Sequence, residues 1–400
     1  MKKIVAILLL LLTTFSLVFA QGQMESQTVI KERTFIDDLG REVTLPSVIT
    51  KAAPSGSMAS AFLVSFDPSI FVGVTTKPTE TEKEFFGSDF ASLPVLGTFY
   101  GKKANLNKEA LIVASPEVVV DIGEIKGSKD AMINDLDKLQ NDIGIPVIFI
   151  ESYLENISTT YTRLGEALGN TKRGNELSKF ASDALLYAKE INEKSKDSRK
   201  NFYYTTGSDG LNAISRGNFH AEVIEAVGGN NVVASTISSG NNQINLEELY
   251  KLPVDHIFLL DESAYNIVIN NTEWSYLPAV KNNNVYKVPY VLFPLIDGPP
   301  AVNRIIGIYY TASKLYPEFA TEDYISKAKE FYSLFYNHEL TEKEIAELSR
   351  WIIESLKTAL NFFCSSKTNY LFSSMLKVKI ATLKKLKERN SNKRNLYLSN

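Results

Sequence analysis

Between Glu151 and about Lys200 the chain holds no run suited to a β-strand, although short β-branched runs recur on both sides of this gap. Helical patterns fill it. Tyr161, Leu164, Ala167 and Leu168 share one helical face, Gly169-Asn170 interrupts it, and a second helix is predicted from about Thr171 to Lys196. Its apolar residues Leu177, Phe180, Ala181, Ala184, Leu185, Ala188 and Ile191 follow the i, i+3, i+4 spacing that buries one stripe of a helix. At 1.5 Å per residue, a helix of roughly 25 residues spans about 38 Å, which is long enough to bridge two lobes.

The flanking runs alternate with helical patterns, the signature of βαβ units around a mainly parallel sheet. Predicted strands are Ile70–Val74, Val118–Asp121 and Val147–Ile150 before the gap, then Asn201–Tyr204, His256–Leu260 and Asn284–Val288 after it. The fold class is therefore α/β, with two Rossmann-like lobes joined by one long helix. The expected division is 28–170 for the first lobe, 171–196 for the connecting helix, 197–337 for the second lobe, and 338–400 for a last helix and basic tail.

Lys2 and Lys3 precede an apolar run from Ile4 to Leu12, and Val18 and Ala20 stand at the −3 and −1 positions of a cleavage site. Residues 1–20 read as a secretory signal peptide cut after Ala20; the competing membrane anchor would need a longer apolar stretch than Gln21-Gly22-Gln23 permits. The only cysteine is Cys364, so no lipobox follows the signal, no disulfide forms within the chain, and a cysteine zinc site is ruled out. The expected location is the periplasm. Residues 21–348 carry 44 acidic against 30 basic side chains. A body that acidic has no attraction for nucleic acid or an anionic lipid surface.

One local pattern occurs twice. Asn107-Lys108-Glu109 leads through Pro116 and Glu117 to Val118-Val119-Val120, and Asn245-Leu246-Glu247 leads through Pro253 and Asp255 to His256-Ile257-Phe258. Asn caps helices and acids favour a first turn, so each copy alone reads as a capped short helix. Their recurrence at matching points of two halves suggests equivalent surfaces on both lobes.

Six segments, in order, carry a resemblance: TFIDDLGREVTLP, NLNKEALIVASPEVVV, LGEALGNTKRGNEL, GSDGLNAISRGNFHAEVIEAVGGNNVV, NLEELYKLPVDHIFLL and VYKVPYVLFPLIDGPPAVNRIIGIYYTASKLYP. Over residues 34–337 the chain resembles the class III, helix-linked solute-binding proteins of ABC importers, whose members carry ferric siderophores, haem, cobalamin or oxyanions such as molybdate. The resemblance implies a ligand held between the lobes, delivery to an ABC permease dimer with its ATPase, and a monomer that does no chemistry on its cargo. It also implies one exposed glutamate per lobe that meets arginines of the permease. By spacing these are Glu109 and Glu247, with Glu248 the alternative at the second position.

Open α/β sheets bind ligands beyond the carboxyl ends of their strands. The loops expected there are 54–60, 75–80, 97–103, 123–126, 215–220, 261–265 and 290–297. They supply Ser57, Tyr100, Lys102, Arg216, His220, Tyr265, Tyr290 and Phe293 as candidate ligand contacts. Aromatic faces pack on a chelate, and cations pair with carboxylate, catecholate, propionate or oxyanion charge. Each has a plainer reading, core or rim packing for the tyrosines and a helix first turn for His220.

Three histidines, one of them His256 in a predicted buried strand, are too few for a captor of bare Zn²⁺ or Mn²⁺. The favoured cargo is a metal already wrapped in a chelator, iron above others; a molybdate-type oxyanion and cobalamin remain alternatives, since GPPAVNR suits either branch. No dinucleotide, Walker or nucleophile-elbow motif stands in a credible position, so no catalytic residue, resident metal or cofactor is assigned. Ser57, Asp297 and His220 can be drawn into a hydrolase set, but nothing in their spacing requires it, and a surface adhesin or structural protein is a third class, disfavoured by the missing anchor and the cleft-like loop chemistry. Ala226–Asn231 reads as a helix end, not a phosphate loop. Thr341-Glu342-Lys343-Glu344 is a capping box opening a last helix, and Phe331, Leu334 and Phe335 are expected to pack on the second lobe. Beyond Leu348 come eleven Lys and Arg against two Glu. This tail reads as a solvated charge run, a membrane-surface helix, or a permease-like segment joined to the chain.

Overall fold

A computed structural model describes residues 31–100, 104–234 and 241–350. The predicted signal peptide, Lys102 and the tail beyond residue 350 lie outside the described residues. In order, the elements are β1 (Glu32–Ile36), β2 (Glu42–Pro46), β3 (Ala52–Pro54), α1 (Ser57–Phe66), α2 (Glu80–Ala91), α3 (Lys108–Ala114), β4 (Val118–Gly123), α4 (Lys129–Ile143), β5 (Val147–Glu151), α5 (Ile157–Leu168) and α6 (Thr171–Lys194). They continue with β6 (Asn201–Thr205), β7 (Asn212–Ile214), α7 (Glu222–Ala226), β8 (Asn230–Asn231), β9 (Asn241–Gln243), α8 (Leu246–Leu249), β10 (His256–Leu259), α9 (Glu262–Asn270), α10 (Pro278–Lys281), β11 (Val285–Lys287), α11 (Arg304–Leu315), α12 (Tyr324–Tyr336) and α13 (Glu342–Leu348).

The first lobe holds the parallel sheet β3-β4-β5, and the second the sheet β11-β10-β6-β7-β9, in which β8 also pairs with β6. β4 is buried along its whole length and β10 likewise, as strands covered by helices on both faces must be. One predicted strand is corrected: Ile70–Val74 forms only single bridges, Phe71 with Ala52 and Val74 with Val95. Pro68-Ser69-Ile70 is a 3₁₀ turn, and Gly73 is the close-contact point of Leu96, which a Cβ there would meet at 2.5 Å.

The motif TFIDDLGREVTLP makes the β1-β2 hairpin and ties it to the first lobe. Asp37 accepts from the Leu39 and Arg41 amides and pairs with the Arg41 guanidinium at 3.0 Å, while Arg41 also donates to the Val147 carbonyl at 2.9 Å. Asp38 meets Arg163 of α5 at 2.9 Å.

The helical gap becomes α5 and α6, which cross closely because glycines face each other. A Cβ on Gly165 would come within 2.9 Å of Gly174 Cα, and one on Gly174 within 2.6 Å of the Tyr161 carbonyl oxygen. Arg173 in the first turn of α6 donates to the carbonyls of Ser65 and Phe66 at the end of α1 and of Leu334 near the end of α12. The buried stripe of α6 includes Leu177, Phe180, Ala181, Ala184, Tyr187, Ala188 and Ile191, and one hydrophobic cluster runs through it from Phe62 and Ile148 to Phe202 and Ile305. The expected packing of α12 is also corrected. Phe335 lies edge-on to Tyr161 of α5, and Phe331 contacts Phe180 of α6, so α12 returns to the linker and first lobe rather than resting on the second lobe alone. The Thr341 capping box opens α13 as expected.

Candidate functional site

At the carboxyl end of β5 the chain turns through Ser152 and Tyr153, and across from it the short 3₁₀ turn Phe219–Ala221 leads into α7. Asn218 caps that turn by accepting from the His220 amide at 2.9 Å. The lobes touch here: the Tyr153 and Phe219 rings meet edge to face at 5.6 Å, and the Leu154 amide donates to Glu222 Oε2 at 3.0 Å.

The same Glu222 oxygen receives Arg304 Nη1 at 2.6 Å. Arg304 opens α11, its guanidinium lies 4.6 Å over the Phe219 ring, and it is 1 % exposed. Its Nε and Nη2 have no hydrogen-bond partner among the described residues. Burial lowers its pKa while Glu222 opposes that shift. A buried guanidinium with donors to spare is costly unless something anionic completes it, and this arrangement sits where the lobes meet.

Beside it, Asp297 orients His220. Asp297 Oδ1 takes His220 Nδ1 at 2.9 Å and the Gly298 amide at 2.7 Å, and Oδ2 takes the Tyr204 hydroxyl at 3.2 Å. The carboxylate raises the His220 pKa. A carboxylate on Nδ1 leaves Nε2 as the ring nitrogen for a ligand, on a side chain 40 % exposed. Ser57 is exposed in the first turn of α1 and hydrogen-bonds neither group, so the nucleophile–base contact of a hydrolase is not made among the described residues.

On the first lobe, Asp121 at the end of β4 is buried, hydrogen-bonded by the Ser55 hydroxyl and 3.5 Å from Lys126 Nζ. Burial raises the Asp121 pKa against the pull of Lys126. Lys126 covers one face of Tyr100 at 4.5 Å, and the Tyr100 hydroxyl is buried without a hydrogen-bond partner among the described residues, its pKa raised by burial. Tyr100 therefore turns its polar end into the lobe. Tyr290 is exposed on the second lobe, within electrostatic reach of Glu82 of α2. Phe293 is partly buried against the core, and its carbonyl accepts from Asn303 at 2.7 Å.

Two candidates stand elsewhere than expected. Tyr265 is buried in the second-lobe core with Val268 and Trp274, because α9 turns that face inward to cover its apolar side. Arg216 is exposed, but its Nε and Nη2 both donate to the Asn231 carbonyl, at 2.9 and 2.6 Å, which commits most of the fork to β8. Arg304 was not among the sequence candidates. Its only signal is its place as the last residue of GPPAVNR, seven positions after Asp297. Among the described residues no group of three His, Cys, Asp or Glu is placed to hold a metal ion, and no helix is long and apolar enough to cross a membrane.

The two repeated helices begin in the same way. Asn107 caps α3 by accepting from the Ala110 amide, and Asn245 caps α8 by accepting from the Glu248 amide, so Glu109 and Glu247 occupy the same second helical position. Both are exposed, with no hydrogen bond or ion pair among the described residues. Glu248 instead closes the capping box on Asn245.

The family model described as "periplasmic binding protein" matches residues 80–292. Among curated proteins, an uncharacterized ABC transporter substrate-binding lipoprotein, YvrC of Bacillus subtilis, is 27 % identical over 317 residues, 74 % of this chain and 90 % of that protein. An ABC transporter solute binding protein from Sulfurospirillum deleyianum superposes with a TM-score of 0.73 at 27 % identity, covering 80 % of this chain and 99 % of that one. The molybdate periplasmic binding protein MolA of Haemophilus influenzae, bound to molybdate, shares the fold with a TM-score of 0.61 at 21 % identity, covering 77 % of this chain and 99 % of that one.

Proposed function

This chain belongs to the periplasmic binding protein family, as a class III member that serves an ABC transporter as its substrate-binding protein, and from that premise we propose that its cargo is an anionic metal chelate, an iron chelate above others. The observation that carries this reading is Arg304, 1 % exposed, with two guanidinium nitrogens, Nε and Nη2, unpartnered among the described residues at the junction of the lobes. An acidic arm of a chelate entering there completes the guanidinium fork, and a single charge-assisted contact of this kind contributes about 1.5–3 kcal/mol. His220, held by Asp297, offers a second polar contact, while Tyr290 and Phe293 supply aromatic surface. In this reading Tyr100 and Lys126 wall the first-lobe side, and Ser57 and Arg216 line the rim.

A small oxyanion is the second reading, because an enclosed guanidinium suits a compact anion as well as one arm of a chelate. Calorimetry against ferric siderophores, haem, cobalamin and molybdate separates the two. Tight binding of a chelate supports the first; binding of molybdate alone supports the second; affinity unchanged in Arg304→Gln removes Arg304 from the site.

Delivery follows from the family: the protein passes its cargo to a permease with a cytoplasmic ATPase. We place the mature protein in the periplasm as a monomer released by cleavage after Ala20, whereas the Bacillus subtilis relative is a lipoprotein. Glu109 and Glu247, equivalent in position and unpaired, are the proposed docking carboxylates, one for each half of a two-fold permease. Glu109→Ala with Glu247→Ala is expected to leave cargo affinity intact and sharply reduce uptake; normal uptake by the double variant would return both residues to a helix-capping role.

A further inference from the structure

Large apolar side chains are exposed beside both of these glutamates. On α3, Ile112 and Val113 stand three and four residues after Glu109, on the same helical face, and Val113 is 85 % exposed. On the second lobe, Tyr250 stands three residues after Glu247 at the end of α8, and its ring meets Tyr276, 68 % exposed, edge to face at 6.2 Å. The Tyr250 hydroxyl donates to the Glu273 carbonyl at 2.7 Å, which holds the pair in place. Such residues cost free energy in water unless something covers them.

Their placement is shared. α3 leads into β4, the middle strand of its sheet, and α8 leads into β10, which lies between β11 and β6. A helix joined to a following strand by a short link runs back along it. The first turn of each helix therefore lies toward the carboxyl ends of the strands, the side on which the cleft opens. Each lobe thus presents one unpaired carboxylate with an apolar pair one turn away.

We propose that Ile112 and Val113 on one lobe and Tyr250 and Tyr276 on the other are apolar anchors that seat the protein on its permease dimer, each beside its docking glutamate. The partner this fits has two equivalent faces, each with a cation next to an apolar pocket. Carboxylates at an interface rim govern encounter and salt dependence, whereas buried aromatic and aliphatic anchors govern how long the complex lasts. The half-sites are not identical, aliphatic on the first lobe and aromatic on the second.

The inference rests on the docking reading, and its test separates the two. Association of the full-length mature protein with the purified permease–ATPase complex of the same organism, in lipid nanodiscs, is measured for the unmodified chain, for Glu109→Ala/Glu247→Ala and for Val113→Ser/Tyr276→Ser. Thermal unfolding and cargo calorimetry serve as folding controls. The serine variant is expected to dissociate about tenfold faster with an unchanged association rate, and the alanine variant to associate more slowly with a weaker salt dependence. Unchanged dissociation of the serine variant, while the alanine variant is impaired, overturns the anchors and leaves the docking reading intact. No association of the unmodified protein overturns both. Concentration-dependent dimerisation in sedimentation that the serine variant abolishes assigns the patches to a second copy of this chain and likewise overturns the proposal.

Discussion

Removing either partner of the Glu222–Arg304 pair should have unequal effects, because the two are buried unequally. The Arg304 side chain is 1 % exposed and the Glu222 side chain 27 %, with 2.6 Å between them. Glu222→Ala leaves a buried guanidinium with no acidic partner and removes the acceptor of the Leu154 amide, a loss of about 3–5 kcal/mol. Arg304→Met keeps most of the volume against Phe219, and Glu222 retains the Leu154 amide and access to water. The expected cost is no more than about 1.5 kcal/mol. Urea unfolding of both single variants and the double variant gives the two costs and their coupling. With whichever chelate binds the unmodified protein most tightly, Arg304→Met should weaken binding roughly ten- to a hundredfold. The reasoning is refuted if Glu222→Ala destabilises no more than Arg304→Met, or if Arg304→Met binds the chelate unchanged.

Asp297 raises the His220 pKa above 6.5, so their interaction contributes fully below the unfolded value and is lost as pH rises through the folded one. Asp297→Asn should lower the NMR titration midpoint of His220 and reduce stability more at pH 5.5 than at pH 8.5; an unmoved midpoint would sever the link. Burial lowers Lys314 to about 5, with its Nζ 5.0 Å over the Tyr310 ring. The unfolded chain binds this proton more tightly, so its cost grows as pH falls from 10.5. Lys314→Met should therefore stabilise the protein, more at pH 7 than at pH 10, and a gain independent of pH would contradict it. Gly174→Val, whose Cβ would stand 2.6 Å from the Tyr161 carbonyl oxygen, should cost at least about 1–3 kcal/mol by separating α5 from α6, read by thermal unfolding; an unchanged midpoint would show that the crossing is not tight.

What the sequence by itself determined is what local periodicity encodes. The strandless gap, the buried stripe of α6, and the runs that became β4, β5, β6 and β10 were all legible, because apolar spacing of 3.6 or continuous β-branched runs states which faces leave water. The paired Asn caps were legible too, since a cap acts within four residues, and the structure adds that Glu109 and Glu247 share one helical position. Where pattern misled, a local preference met a tertiary one. Ile70–Val74 has strand composition but begins in a 3₁₀ turn and brings Gly73 against the Leu96 side chain, and Tyr265, expected in a loop, lies in α9 on the face that covers the second-lobe core. The site's pairings could be decided only in three dimensions. Asp297 and His220 are 77 positions apart, Arg304 and Glu222 are 82 apart, and the Leu154 amide reaches Glu222 from the other lobe. No periodicity links residues that distant; which carboxylate meets which cation is set by how the second lobe packs, where all four residues lie, and only the Leu154 contact depends on how the long helix sets one lobe against the other.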